Sequence, residues 1–383
     1  MLNILWIPQI SSLSSDGYVY LPKDSNMTAI GNLLKSDLGK NKIDLCFEFS
    51  NENVIENKYV FDNVSNVFWN KNHKYTNNML ERYHLDVDYF MSIYEGNERY
   101  DIIFCNEPTK VDAMKEIFKT SKVVCYNHWL AFKNMKNIQL RQYEGMCNAS
   151  ACFVNSEYAK KSILDYYDSI GKIKNLKKIN LIVSNPAFNT EIKKFEGLKS
   201  RNIIYNHRLS SDIYYSKAFN DFLMILLALE YRIGIDNMPI VYLTNPSVKK
   251  FDYNLPKYFK QIQLLDKIEY EMFLKSNNVG IHMNTFFDSE GMWSQSTVDC
   301  AVAGNICLLP FKYGYAEMFD SRYFGYCNDR EEMLDKLAYI LDNKNENKLK
   351  NLFTFYDSFD KIDGIKVGNK LLKDLEKIVE GEE

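Results

Sequence analysis

The sequence lacks the features that mark several protein classes. Its 5 histidines are scattered with no HxxxH pair, and none of its 8 cysteines forms a CxxC pair. These spacings argue against a zinc site and a disulfide framework, and they favour free thiols in a reducing compartment. No apolar run approaches ~18 residues, so no membrane span is predicted. Residues 1–8 have no charged leading region, which predicts a first strand and not a signal peptide.

The composition is typical of a globular protein. Of the 383 residues, 46% are hydrophobic and 25% are charged, which excludes a disordered or fibrous chain. About 150 residues per domain gives two domains as the starting expectation. A net charge of −3 argues against a protein that mainly coats nucleic acid. Residues 110–178, however, carry 12 Lys and 1 Arg against 6 acidic residues, a balance of +7 that fits either a solvated face or a surface for an anionic polymer.

Short apolar runs alternate with helical stretches along the whole chain, which predicts an α/β protein with parallel sheets. A polar, charged break follows Ser184-Asn185-Pro186 and predicts domains at 1–187 and 188–360. Residues 361–383 contain an amphipathic helix, and our hypothesis is that it packs back on the first domain. We expect two Rossmann-like domains that face a central cleft, with ligands at the carboxyl ends of the strands.

The individual elements follow from the same alternation of apolar runs and helical periodicity. The predicted strands are 2–7, 43–48, 58–61, 101–105, 122–126, 151–154, 179–183, 202–205, 239–243, 261–264, 279–283 and 306–309. The predicted helices are 27–38, 75–94, 109–118, 138–147, 156–168, 214–233, 268–276, 294–303, 329–342, 345–354 and 361–380.

The stretch 278–310 is the most informative part of the chain. A predicted strand leads into a loop with Glu290-Gly291-Met292, and the helix that follows contains Asp299 and closes at Gly304. A helix N-terminus offers unpaired N–H groups and a positive dipole end to phosphate oxygens. A carboxylate just inside the helix can accept both hydroxyls of a ribose. These features predict a nucleotide diphosphate site, and an exposed loop with a helix cap is the alternative interpretation.

This stretch resembles the nucleotide-sugar signature of the GT-B glycosyltransferases, in which Glu-Gly precedes a second acid and a small-residue run with Gly. Here the order is Glu290-Gly291, then Asp299-Cys300-Ala301-Val302-Ala303-Gly304. The second acid is Asp where Glu is usual, and its spacing is one residue longer. The usual Gly after the aromatic is absent from Met292-Trp293-Ser294. The resemblance implies a GT-B fold, a nucleotide-sugar donor, retention of anomeric configuration, and no required metal or other cofactor.

A second match to the same family follows the first strand of the second domain, at Asn206-His207-Arg208, with Lys217 nine residues beyond Arg208. The resemblance implies that Arg208 and Lys217 neutralise the donor diphosphate, as a planar guanidinium and a point charge can. It also implies that Asp299 holds the ribose and Glu290 faces the sugar. The full set of predicted donor-binding residues is Gly17, Asn206, Gly291, Met292, Ser296, Thr297 and Asp299.

In the first domain, two strand ends point at the same predicted cleft. One carries Asn106-Glu107, and the other carries Asn127-His128-Trp129. His128 is a predicted catalytic residue beside the acceptor and the anomeric carbon, together with Arg208, Lys217 and Glu290, although a structural His in an aromatic cluster is the alternative. The predicted acceptor-binding residues are Glu107, Asn127, Trp129 and Arg141.

Residues 101–157 loosely resemble the phage DNA base glucosyltransferases. With the basic stretch at 110–178, this resemblance implies duplex DNA with hydroxymethylated bases as acceptor, which the enzyme reaches by base flipping. The alternatives are a glycan precursor, a protein or tRNA as acceptor, or a non-catalytic sugar-nucleotide sensor. The expected donor is a UDP-sugar and the expected location is the cytoplasm. Nothing in the sequence predicts an oligomeric state.

Overall fold

The structure is a computed structural model. The residues that it describes are 1–9, 19–20, 27, 30–31, 34, 41–52, 54–55, 64–74, 85–95, 99–127, 136–172, 180–186, 195–207, 219–244, 255–262, 267–286, 294–353, 361 and 363–381. The chain divides into two compact units. Unit 1 is Met1–Ala187 with Gly364–Glu383, and unit 2 is Phe188–Asp363.

The strands of unit 1 form a sheet with the order β5-β3-β1-β6-β7-β8-β9, and every pairing in it is parallel. Its strands are continuous apolar runs, as expected where both faces of a parallel sheet are covered. The strands of unit 1 are β1 Asn3–Ile7, β2 Val19–Tyr20, β3 Lys42–Phe47, β4 Val54–Ile55, β5 Asn66–Trp69, β6 Ile102–Cys105, β7 Lys122–Asn127, β8 Ala151–Val154 and β9 Leu181–Val183. The short strands β2 and β4 pair with each other, apart from this sheet.

Helices pack on both faces of the first sheet. The helices described in unit 1 are α1 Val87–Glu95, α2 Val111–Ile117, α3 Lys136–Asn148, α4 Glu157–Ser169 and α10 Gly364–Glu380. One face carries α1 to α4 through a core that includes Phe90, Met114, Met146 and Ile163. The other face carries α10, whose apolar stripe joins the core around Trp6. The stripe consists of Val367, Leu371, Leu372, Leu375 and Ile378.

Unit 2 contains a second parallel sheet, with the order β12-β11-β10-β13-β14-β15. Its strands are β10 Ile203–Tyr205, β11 Val241–Thr244, β12 Phe259–Ile262, β13 Ile281–Met283, β14 Ile306–Pro310 and β15 Tyr326–Cys327. Its helices are α5 Phe219–Ile233, α6 Lys267–Lys275, α7 Gln295–Val302, α8 Arg330–Leu341 and α9 Glu346–Leu352. Gly304 has a φ of 78° just after α7, so it ends this helix in the left-handed conformation, as predicted.

Most predicted elements are confirmed to within a few residues, and the differences have simple causes. Strands β2, β4, β5 and β15 were not predicted, because a short, half-exposed edge strand and strands of two residues give little periodicity. Of the helix predicted at 75–94, residues 87–95 are described as α1, while 75–84 lie outside the described residues. The strand predicted at 58–61 also lies outside them. No helix in the described part of the chain combines the length and apolarity needed to cross a membrane.

Candidate functional site

The second sheet has a topological switch point between β10 and β13. If the strands β10 to β15 are numbered 1 to 6, their order in the sheet is 3-2-1-4-5-6. The connection after β10 therefore leads towards one edge of the sheet, and the connection after β13 leads towards the other edge. Open parallel sheets bind ligands outside the carboxyl ends of the strands at such a point. The side chains that follow β10 and β13, together with the start of α7, therefore form the candidate donor site.

Asn206, the residue after β10, connects this strand to α6 and α7. Its Nδ2 donates to the carbonyl oxygen of Ser296 at 3.1 Å and to the hydroxyl of Tyr270 at 2.5 Å. Its Oδ1 is buried and has no hydrogen-bond partner among the described residues. A buried acceptor without a partner costs free energy. A donor on a bound ligand would satisfy this oxygen.

A chain of hydrogen bonds links the end of β10 to the first turn of α7. The Oγ of Ser296 lies 3.0 Å from Nδ1 of His207 and 2.9 Å from Oγ of Ser294. Ser294 precedes the helix, and in the described part of the chain its hydroxyl accepts no hydrogen bond from a backbone N–H of the first turn. The N–H groups at the start of α7 are thus not capped by this serine, and such groups can bind a phosphate.

Thr297 lies in the same turn but faces the sheet. It is fully buried, and its hydroxyl contacts Nε2 of His282 at 3.0 Å and accepts a hydrogen bond from Nδ2 of Asn284. Burial lowers the pKa of His282 well below its ordinary value, and the neighbouring His207 lowers it further, so the imidazole is neutral at pH 7. The side chain of Thr297 therefore holds α7 on β13, and its backbone N–H is the group that remains for a donor contact.

Asp299 occupies the second turn of α7, as the sequence predicted, and only 8% of it is exposed. Its carboxylate acts on Tyr270, whose pKa is raised well above the ordinary value, first by burial and then by the charge of Asp299. Asp299 and Asn206 therefore both act on Tyr270, and these two predicted donor residues belong to one cluster.

Several predicted residues lie outside the described part of the chain. They are Gly17, His128, Trp129, Arg208, Lys217, Glu290, Gly291 and Met292. The described chain reaches His207, directly before Arg208, and Phe286 and Ser294 flank the segment that holds Glu290. Both segments thus start or end at the switch point of the second sheet.

In unit 1 the corresponding switch point lies between β1 and β6. Asn106 follows β6, and its Oδ1 accepts a hydrogen bond from Nε1 of Trp6 at 2.9 Å. The next residue, Glu107, is 2% exposed, and its Oε1 accepts from Nε2 of Gln142 at 3.2 Å and from the N–H of Thr109 at 3.4 Å. Burial raises the pKa of Glu107 to about 7. Glu107 therefore caps the 3₁₀ turn Pro108–Lys110 from inside the fold.

A buried ion pair that the sequence analysis missed crosses the end of β1. Lys110 is 5% exposed and pairs with Glu48, which follows β3 on the far side of β1. Burial lowers the pKa of Lys110 to about 7, and the nearby thiol of Cys46 opposes this shift. The available signal was positional, since Glu48 ends the predicted strand 43–48 and Glu107 lies just beyond the predicted strand 101–105, so both were expected at the carboxyl edge of the sheet.

The two remaining acceptor predictions fall on residues of different exposure. Asn127 ends β7, is buried, and donates from Nδ2 to the sulfur of Met146 at 3.4 Å. Arg141 lies on α3 and is exposed. The fold thus places Asn127 at the carboxyl edge of the first sheet, beside the strand that leads to Glu107.

Comparisons with known proteins identify the fold. No family model matches this sequence, and no curated protein matches it. Among solved structures, HepE from Anabaena in complex with UDP-glucose is similar, with 12% identity, a TM-score of 0.63 and coverage of 98% of this chain and 100% of that chain. Sucrose-phosphate synthase from Thermosynechococcus elongatus has 10% identity and a TM-score of 0.67, with both chains fully covered. Trehalose 6-phosphate synthase from Burkholderia multivorans has 10% identity and a TM-score of 0.62, with 99% and 97% covered.

These structures are GT-B glycosyltransferases, and at this identity the similarity concerns the fold. Two parallel sheets, each with the strand order of a Rossmann-like domain, agree with that similarity over the whole chain. The expectation from the segments around Asp299 and Asn206 is confirmed at this level: the chain has the fold of the GT-B glycosyltransferases.

Proposed function

We propose that this chain is a glycosyltransferase that moves a sugar from a nucleotide diphosphate sugar to a hydroxyl group. The observation that carries the proposal is the switch point of the second sheet, where Asn206, the start of α7 and Asp299 form one cluster. The complex of HepE with UDP-glucose supports a UDP-sugar as donor, because that protein has the same fold.

In this proposal the donor is held by the second unit. Arg208 and Lys217 hold the diphosphate together with the N–H groups of Ser296 and Thr297, which neutralises charge on the leaving group. Asp299 holds the ribose hydroxyls, and Glu290 faces the hydroxyls of the sugar. Gly17, Gly291 and Met292 are further donor-binding residues in this proposal. The reaction uses no bound metal, so transfer should be unchanged in EDTA.

The donor site is tested by the affinity for UDP. Calorimetry should show that Arg208→Ala and Asp299→Ala each weaken UDP binding by about tenfold or more, since each loses a charge-assisted hydrogen bond of about 1.5–3 kcal/mol. The exposed Lys257, paired with Asp236, provides a control cation in the same unit, and Lys257→Ala should keep the affinity of the wild type. Unchanged affinity in both donor-site variants would refute the assignment.

For the chemical step we propose retention of anomeric configuration, with His128 beside the acceptor and the anomeric carbon. Glu107, Asn127, Trp129 and Arg141 would orient the acceptor. The support is the resemblance of the Glu290–Gly304 segment to the signature of retaining enzymes. Proton NMR of the first product measures the outcome, and an inverted product would contradict the proposal. A non-catalytic sensor is the alternative, and release of UDP by the isolated protein would exclude it.

For the acceptor we propose a hydroxymethylated base in duplex DNA, on the basis of the basic stretch 110–178. One charge of that stretch is not available to DNA, because Lys110 is buried against Glu48. The test is salt-sensitive binding of duplex DNA, followed by transfer of a labelled sugar to hydroxymethylated DNA. If neither occurs, the acceptor is instead a glycan precursor, a protein or tRNA.

The eight free cysteines, of which seven are buried, support a cytoplasmic location.

A further inference from the structure

Phe286, which lies just after β13, has both its backbone N–H and its carbonyl oxygen hydrogen-bonded to side chains. The N–H of Phe286 donates to Oδ2 of Asp221 at 3.0 Å, and the carbonyl oxygen of Phe286 accepts from Nζ of Lys312 at 3.1 Å. Backbone groups beyond a strand end have no ladder partner, so side chains that bind them determine where the chain goes next. Phe286 is followed by the segment 287–293, which contains Glu290.

Asp221 connects this exit to two helices. It lies in the first turn of α5, is 8% exposed, and its Oδ1 also accepts from Nε of Arg330 at the start of α8. Helix α5 follows the segment that contains Arg208 and Lys217. The carboxylate of Asp221 therefore links two parts of the chain. One is α5, which follows the segment with Arg208 and Lys217, and the other is Phe286, which precedes the segment with Glu290.

Lys312, which lies just after β14, binds the carbonyl oxygen of Phe286. Its ammonium group lies 5.2 Å from the ring centre of Phe286 and 4.7 Å from that of Tyr313, within cation–π range of both. Tyr313 has a φ of 58°, a conformation that a non-glycine residue keeps only where its surroundings hold it. These contacts fix the ammonium group where it can bind the carbonyl oxygen of Phe286.

We propose that Asp221 and Lys312 are positioning residues, which fix the exit of β13 and thereby place the donor-sugar loop around Glu290. This inference rests on the proposed function. Neither residue is assigned a contact with the nucleotide, which is held through Asp299 and the start of α7. Loss of the anchor should therefore slow sugar transfer while UDP binding is retained.

The variant Lys312→Ala tests the anchor, because Lys312 is only partly buried and its removal should not prevent folding. Lys336 provides a matched control in the same unit, since it also donates to a backbone carbonyl, that of Tyr326, and lies 5.1 Å from the ring centre of Phe324. Lys312→Arg is the conservative variant, because its guanidinium can still donate to the carbonyl oxygen of Phe286.

Two measurements are made on the full chain. In Lys312→Ala, hydrogen exchange of the backbone amides of Asn284 and Phe286 should rise about tenfold without any ligand, because both amides are hydrogen-bonded and local opening becomes easier. The kcat for transfer from a UDP-sugar, or for its hydrolysis, should fall about tenfold or more, while the Kd for UDP stays within about twofold. Lys312→Arg should recover most of both effects. Lys336→Ala should show neither, and Asp221→Asn, which keeps an acceptor but loses the charge, should fall between wild type and Lys312→Ala.

The outcomes separate this inference from the function on which it rests. Unchanged amide exchange in Lys312→Ala would overturn the anchor, whatever the ligand. Raised exchange with unchanged kcat would overturn its role in placing the sugar loop. A wild-type protein that binds no UDP or UDP-sugar would overturn the proposed function, and with it the role of the anchor in transfer.

Discussion

The substitution Glu107→Gln removes an ionisable group from the interior of unit 1 while keeping its shape. Glu107 accepts hydrogen bonds from Gln142 and from the N–H of Thr109 through one oxygen. The glutamine side chain retains a carbonyl oxygen in that position, so both bonds can persist. The variant differs from the wild type mainly in that the side chain at position 107 cannot become charged. A comparison of the two proteins therefore measures the free-energy cost of a charged carboxylate at this buried position.

The sign of the effect follows from the direction of the pKa shift. Burial raises the pKa of Glu107 from 4.5 to about 7, so the folded state holds the proton more tightly than the unfolded state. The stability that the protonated group contributes is complete below pH 4.5 and is lost as the pH rises through 7. The shift corresponds to about 3 kcal/mol at high pH. Between pH 5 and pH 8.5 the free energy of unfolding of Glu107→Gln should rise, relative to the wild type, by about 2.5 kcal/mol.

Urea unfolding at pH 5 and pH 8.5, followed by circular dichroism, measures this difference for both proteins. The exposed Glu144 on α3 provides the control, and Glu144→Gln should follow the wild type at both pH values. A difference between Glu107→Gln and the wild type that is the same at pH 5 and pH 8.5 would refute the reasoning, because it would mean that the buried carboxyl does not titrate in this range.

Three further substitutions, two of them with a control variant, test the packing within the two units. Gly145→Ala should lower the free energy of unfolding by about 3 kcal/mol, because a Cβ there would lie 1.8 Å from the carbonyl oxygen of Pro108. Gly31→Ala should be close to neutral, because among the described residues its Cβ would meet only the ring of Trp6, at an ordinary distance. Thr297→Val should cost about 2 kcal/mol in urea unfolding, since Nε2 of His282 and Nδ2 of Asn284, both buried, each lose this hydrogen-bond partner. Thr297→Ser should recover most of the loss. Leu371→Ala should cost about 3 kcal/mol, and a loss below about 1 kcal/mol would contradict the packing of α10 on the first core.

The elements of the fold could be predicted because they depend on local pattern. The strands of parallel sheets are short apolar runs, and α10 shows its apolar stripe at helical spacing, so both are visible in sequence. Gly304 was predicted to end α7 because a left-handed cap favours glycine. Strands β5 and β15 were not predicted, since an edge strand of four residues and a strand of two have no such pattern.

The residue types of the candidate site could also be predicted, but their contacts could not. The positions of Asn206 and Asp299 at a strand end and inside a helix follow from the order of elements, which the sequence shows. Thr297 was predicted to bind the donor together with Ser296, yet its hydroxyl faces His282 and Asn284 inside the fold. Which way a helical side chain faces depends on how the helix packs on the sheet, and that packing involves residues far apart in the chain.

The sequence by itself determined the fold class and the order of the elements, and it predicted a nucleotide-sugar site around Asp299, because periodicity and motif spacing are local properties. Only the tertiary structure decided which distant groups meet. The pair of Lys110 with Glu48, and the hold of Asp221 and Lys312 on Phe286, each join segments that the strand order brings together. Strand order is set by the packing of whole sheets, and no local pattern in the chain encodes it.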